Sequence, residues 1–205
     1  MKRTLTTSVT NLLLIGALLM SASCEDTETG GEAIAMRIGS QDNIVSETGA
    51  LELLAGALSI ESVALTGEGD AVPLIGPVTI DLSLAEQELR LLSAIPPGSY
   101  TGLRIELAPA TEGADVLDVR VQSVMGRESV RAISKLRMSG TNEFPEGPRA
   151  IGEASEVELH LSLRGMFFYL APVADAVDGV YEAGENDRDF LTMDLIGMFD
   201  LRVLP

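Results

Sequence analysis

The chain has 205 residues, 31 acids against 14 bases, one Cys, one His and no Trp, for a formal charge of −17. One thiol excludes an internal disulfide and a cysteine-rich zinc site. The acidic balance argues against binding a nucleic-acid backbone, which needs clustered Lys and Arg, and 46% hydrophobic residues is too many for a disordered chain.

The N-terminus runs Met1-Lys2-Arg3, then Thr and Ser, then an apolar stretch from Leu12 to Met20, then Ser21-Ala22-Ser23-Cys24. Charged, then apolar, then small is the order of a secretory signal. The apolar stretch is about half of what a bilayer-spanning helix requires. Acids are absent before Glu25 and dense after it, which places processing near that point. The only Cys of the chain stands directly after the small residues. Here the sequence resembles a bacterial lipoprotein signal, with Ala22 and Ser23 fitting the lipobox and Ser21 standing where the family prefers Leu. The resemblance implies that Cys24 carries a diacylglycerol and becomes the acylated first residue of the mature chain. It implies export to the cell envelope, on the outer membrane or the periplasmic side of the inner membrane.

Cleavage after Ser23 removes Lys2 and Arg3 but no acid, so twelve bases face 31 acids and the formal charge becomes −19. Such a surface is repelled by anionic head groups. The lipid, and not a basic patch, must then hold the protein to a membrane; two or more acyl chains give stable anchoring. Residues 25–32, Glu-Asp-Thr-Glu-Thr-Gly-Gly-Glu, read as a short flexible tether. Residues 33–205 read as one domain.

From residue 33 the dominant period is two. Ala33 to Ile38 is a first predicted strand. Leu58, Ile60, Val63 and Leu65 form a second, whose phase slips near Glu61-Ser62 as at a bulge. Gly49 to Leu58 could hold a helical turn or two. Val78 to Leu84 alternates cleanly, and Leu89 to Ile95 follows after a charged turn. Pro96-Pro97-Gly98-Ser99 is a strong turn signal. Tyr100 to Leu107 puts Leu103, Ile105 and Leu107 on one face. Val116 to Val124 does the same with Leu117, Val119 and Val121. Ser129 to Arg137 carries a helical spacing of apolar residues, and Met138 to Gly152 has enough Gly and Pro to read as a loop. Val157, Leu159, Leu161 and Leu163 alternate with Glu156, Glu158, His160 and Ser162. The chain ends on Phe199, Leu201 and Val203. About eight short half-buried strands with little helix predict an all-β antiparallel sandwich.

The run from Ile80-Asp81-Leu82 through Pro97-Gly98-Ser99-Tyr100-Thr101-Gly102-Leu103-Arg104-Ile105 resembles a domain-of-unknown-function family of envelope lipoproteins. That family carries a Gly-x-Tyr-x-x-Leu/Ile-Arg-Leu/Ile strand, matched by Gly98, Tyr100, Leu103, Arg104 and Ile105. The resemblance covers roughly residues 33–125 and implies a β-sandwich in the envelope, with no established activity. Physically, Gly98 reads as a turn residue with positive φ, Tyr100 as a buried ring with its hydroxyl at the edge, and Arg104 as the partner of a carboxylate on the next strand.

Chemistry is sparse. A Ser-His-Asp arrangement would need His160, which lies on the polar face of a strand. No nucleophile elbow, P-loop or dinucleotide turn is present, so no catalytic residue and no cofactor is implied. A carboxylate-pair hydrolase is open to a chain with 31 acids, but Trp, the usual sugar platform, is missing. The densest acidic stretch, from Asp175 to Asp189, offers Asp178, Glu185, Asp187 and Asp189 as candidate calcium ligands, although their spacing is not that of an EF-hand. The expectation is a membrane-anchored, non-enzymatic binding or structural module. A protein or small-ligand partner would meet loops at one end of the sandwich, at Met138 to Gly152 or Pro172 to Asp189, and an exposed apolar patch there would support a protein. A calcium-stabilised adhesion-type domain and a carboxylate-pair hydrolase are the alternatives.

Overall fold

The 17-residue strand β2 (Leu51–Gly67) is the longest among the described residues, and a nine-stranded sheet grows from both of its edges. The computed structural model describes residues 33–38, 51–123, 129–163 and 177–204. Ahead of β2 comes β1 (Ala33–Ile38). After it come β3 (Val72–Ile75), β4 (Val78–Asp81), β5 (Glu86–Arg90), β6 (Gly98–Leu107) and β7 (Leu117–Ser123). β8 (Ser129–Ser134), β9 (Met138–Glu143), β10 (Arg149–Ile151) and β11 (Glu156–Leu161) follow. β12 (Val180–Ala183), the helix α1 (Arg188–Gly197) and β13 (Phe199–Leu204) complete the described chain.

The registers of β2 show how the large sheet is built. Ala57 and Leu58 pair with both β4 and β7, while Ile60 pairs with β4 and β6. A strand has only two hydrogen-bonding edges, so β6 and β7 share one edge of β2 and β3 and β4 share the other. Beyond β6 lie β9 and β10; beyond β7 lie β8 and then β12. The register shifts between Ile60 and Ser62. That bulge lets Leu58 and Ile60 on one side of it, and Val63 and Leu65 on the other, all face inward at 0 to 2% exposure.

The second sheet has four strands in the order β13-β11-β1-β5. Both sheets are mixed: β1 runs parallel to β11, and β12 parallel to β8. Strands so far apart in sequence have no hairpin to force an antiparallel pairing. The two inner faces pack into one core, in which Met36, Leu58, Leu103, Val119, Leu159 and Phe199 have no exposed surface. Fully burying such side chains stabilises by about 1.5–3 kcal/mol each.

Side chains close both seams between the sheets. Asn142 Nδ2 donates to the Phe199 carbonyl at 2.6 Å, and Arg149 Nη1 meets Asp200 Oδ1 at 2.7 Å. On the opposite seam the Gln87 amide exchanges two hydrogen bonds with the Asp81 backbone, at 2.8 and 3.0 Å. These contacts satisfy edge groups that would otherwise be open to another chain.

An all-β sandwich is what alternation predicts, and several details differ. The described residues hold thirteen strands, in place of about eight, and two pairings are parallel. Where helical turns were expected, Leu51 to Leu58 belongs to β2 and Ser129 to Ser134 is β8; burial of one face between two sheets overrides local propensity. Met138 to Gly152 is β9, a turn and β10, because Gly140 and Gly147 are tolerated at a close approach and in a turn with φ of 90°. The family-like strand is β6. Tyr100 is buried and its hydroxyl donates to the Pro96 carbonyl at 2.7 Å, as expected. Gly98 does not take a positive φ, and Arg104 lies 4.0 Å from Glu106 of its own strand.

Candidate functional site

The described part of the expected acidic loop is ordered as a turn (Val177–Gly179), β12, a second turn (Glu185–Asp187) and the first residues of α1, so several of its carboxylates serve the helix entrance. Asp178 sits in a turn at φ 75°, ahead of β12. Glu185 grips Arg188 with both oxygens, at 2.6 and 2.7 Å, and Arg188 holds its carboxyl below the usual range. Asp187 Oδ2 accepts from the Gly184 N–H at 2.9 Å, and Asp189 lies exposed in the first turn. Two of the four candidate calcium ligands are thus committed to fold contacts. Among the described residues no three His, Cys, Asp or Glu groups come together in an arrangement that could hold a metal ion. Asp175 and Cys24 lie outside the described residues.

Two clefts elsewhere on the described surface are lined by paired charged side chains. The first, of about 640 Å³, opens on the outer face of the large sheet. Small residues of β2, Ala55 and Ala57, form its floor, and longer side chains of β4, β7 and β8 stand along it. There Arg131 holds Asp118 through two hydrogen bonds of 2.8 Å, and Asp81 accepts from the backbone N–H and hydroxyl of Ser83. Hydrogen bonding to Arg131 depresses the Asp118 carboxyl, and hydrogen bonding to Ser83 depresses that of Asp81. A general acid needs the opposite, a carboxyl raised toward neutral pH.

The second cleft, of about 480 Å³, lies over the outer face of the small sheet beside the Gly152–Ser155 turn. Glu158, with its side chain 6% exposed, accepts from Arg37 Nε at 2.7 Å. Glu86 is a second, looser partner of Arg37 at 3.9 Å. His160 neighbours this pair: its register places Arg37 on one side and Asp200 on the other. Burial, with help from Arg202, lowers the His160 pKa against the pull of Asp200 and Glu158. Sequence reading placed His160 on the polar face but did not find Arg37, Glu158, Asp118 or Arg131. Alternating charges mark those strands as half-exposed, yet which charge meets which depends on pairing between distant segments.

A third groove, of about 590 Å³, separates α1 from β9 and is lined by Met138, Gly140, Thr192, Met193 and Ile196 among others. Gly140 permits the close approach: a Cβ there would stand 3.4 Å from the Ile196 side chain.

No protein-family model matches the chain, and no curated protein matches it. Among solved structures the chain is similar to MbnP from Methylosinus trichosporium, with 10% identity and a TM-score of 0.42 over 85% of this chain and 99% of that one. Among the described residues no helix is long and apolar enough to cross a membrane.

Proposed function

We propose that the chain is an exported lipoprotein of the bacterial envelope, anchored through lipid on Cys24, whose β-sandwich is a non-catalytic binding or structural module. The observation that carries this reading is the join between leader and fold. The single Cys closes a signal-like leader, a short acidic tether follows, and β1 begins at Ala33 in the interior of the four-stranded sheet, between β11 and β5. Nine residues from Cys24 to Ala33 reach at most about 30 Å. The tether therefore holds the domain close to the bilayer and pulls on an interior strand, one secured on both edges. The resemblance of Gly98, Tyr100, Leu103, Arg104 and Ile105 to an envelope-lipoprotein strand supports the same setting.

Fractionation of cells producing the full chain tests it. The protein is expected in the membrane pellet after a high-salt and carbonate wash, and Cys24→Ser is expected to abolish mature membrane-bound protein. Equal membrane retention and processing of Cys24→Ser would overturn the anchor.

A further inference from the structure

Helix α1 buries Leu191, Leu195 and Ile196 and leaves its other side open. At 3.6 residues per turn each residue advances about 100° around the axis. Across the open side the order is then Asp189, Met193, Gly197, Phe190, Asp194. This is an apolar strip with a carboxylate on each flank. Phe190 and Met193 are 67% and 66% exposed, the most exposed large apolar side chains among the described residues. Between them Gly197 adds no bulk, and a Cβ there would meet nothing within 4 Å.

Asp194 is poorly placed for the helix itself. It stands in the last turn, where the helix dipole disfavours an anion. It is half-buried, burial raises its pKa, and among the described residues no hydrogen bond or ion pair compensates it. An incoming cation would relieve both penalties. The helix also leads into Phe199, which pairs with Leu161 beside Ile38, so its end lies roughly 17 Å along β1 from the tether. The open side belongs to the end of the fold away from the anchor.

We propose that this side of α1 docks a basic amphipathic helical segment of another protein. Leucine-like side chains of the partner pack on Phe190 and Met193 over Gly197, and flanking Lys or Arg residues pair with Asp189 and Asp194. Anchors spaced by three and four residues are the usual way an amphipathic helix is read. A second copy of this chain fits badly, because it brings the same carboxylates and a formal charge of −17. The inference rests on the binding-module part of the proposed function and is independent of the lipid.

The test uses the full chain, extracted in dodecyl maltoside, and a 14-residue Leu/Lys amphipathic peptide as probe, with micelles alone as the blank. Titration calorimetry is expected to show saturable binding and no binding of the matching Leu/Glu peptide. Phe190→Ser with Met193→Ser, and separately Asp189→Asn with Asp194→Asn, are each expected to weaken binding at least tenfold while leaving the melting temperature near that of the parent. Unchanged binding by the Phe190/Met193 variant, or no saturable binding by the parent, would overturn the proposal. So would concentration-dependent dimers of the parent that the same variant abolishes, which would make a second copy the occupant. Palmitate incorporation read on the same preparation keeps failure of the anchor distinct from failure of the docking face.

Discussion

Arg131 on β8 and Asp118 on β7 form a two-pronged ion pair, Nε to Oδ1 and Nη2 to Oδ2, both at 2.8 Å. The pair offsets a like-charge contact, since Arg131 stands directly opposite Arg120 in the register. Because hydrogen bonding to Arg131 holds the Asp118 carboxyl below the ordinary carboxylate value of 3.8, the pair stabilises the fold fully above that value. The contribution is lost as pH falls through the lower, folded pKa. Both side chains are about 40% exposed (43% and 39%), so solvent screening limits the pair to about 0.5–1 kcal/mol. Arg131→Gln is expected to lower stability by that amount at pH 6 and by less at pH 3, in urea denaturation. An equal loss at both pH values would contradict the assignment.

His160 shifts the same way for a different reason. Burial lowers its pKa below the ordinary imidazole value of 6.5, so the fold favours the neutral ring. Its contribution is present above the unfolded value and is lost as pH falls through the folded one. His160→Gln is expected to flatten the pH dependence of stability between about pH 7 and pH 5, by about 1 kcal/mol or less for a half-buried ring. The comparison is the denaturation midpoint at those two pH values. A steeper dependence in the variant would contradict it.

Gly102 is expected to tolerate no side chain. A Cβ there would stand 2.5 Å from the Asn142 carbonyl oxygen and 3.0 Å from the Glu143 Cα, both backbone atoms of the paired strand β9. Gly102→Ala should push β9 away from β6 at a cost of about 1–3 kcal/mol. It should also loosen the seam, since Asn142 donates to Phe199. Faster amide exchange in Met138 to Glu143 would report it, and a variant as stable as the parent would count against the close approach.

Calcium is expected to leave the melting temperature unchanged. The ion needs six to eight oxygens, and Glu185 and Asp187 are already bound to Arg188 and Gly184. A saturable rise with millimolar calcium, absent with magnesium and lost in Asp187→Ala with Asp189→Ala, would show that the helix entrance rearranges to bind it.

Alternation made the layers legible. Leu103, Ile105 and Leu107 face inward as their spacing demands, and the phase slip at Glu61-Ser62 is a bulge in the fold. Pairing order was not legible, because the parallel union of β1 with β11 is decided by closure of the core and not by local sequence. Helix α1 was hidden by the acids at its start: Asp187 and Asp189 read as part of an acidic loop with candidate calcium ligands, while Leu191, Leu195 and Ile196 carry a helical spacing just beyond them. The clefts were illegible for a related reason. Arg37 and Glu158 meet only once β1 and β11 lie side by side.

The most direct measurement is the mass of the N-terminal peptide of the protein isolated from its membrane. The account expects a peptide that begins at Cys24 and carries a thioether-linked diacylglycerol. A peptide beginning at another residue, or one beginning at Cys24 with a free thiol, would contradict it.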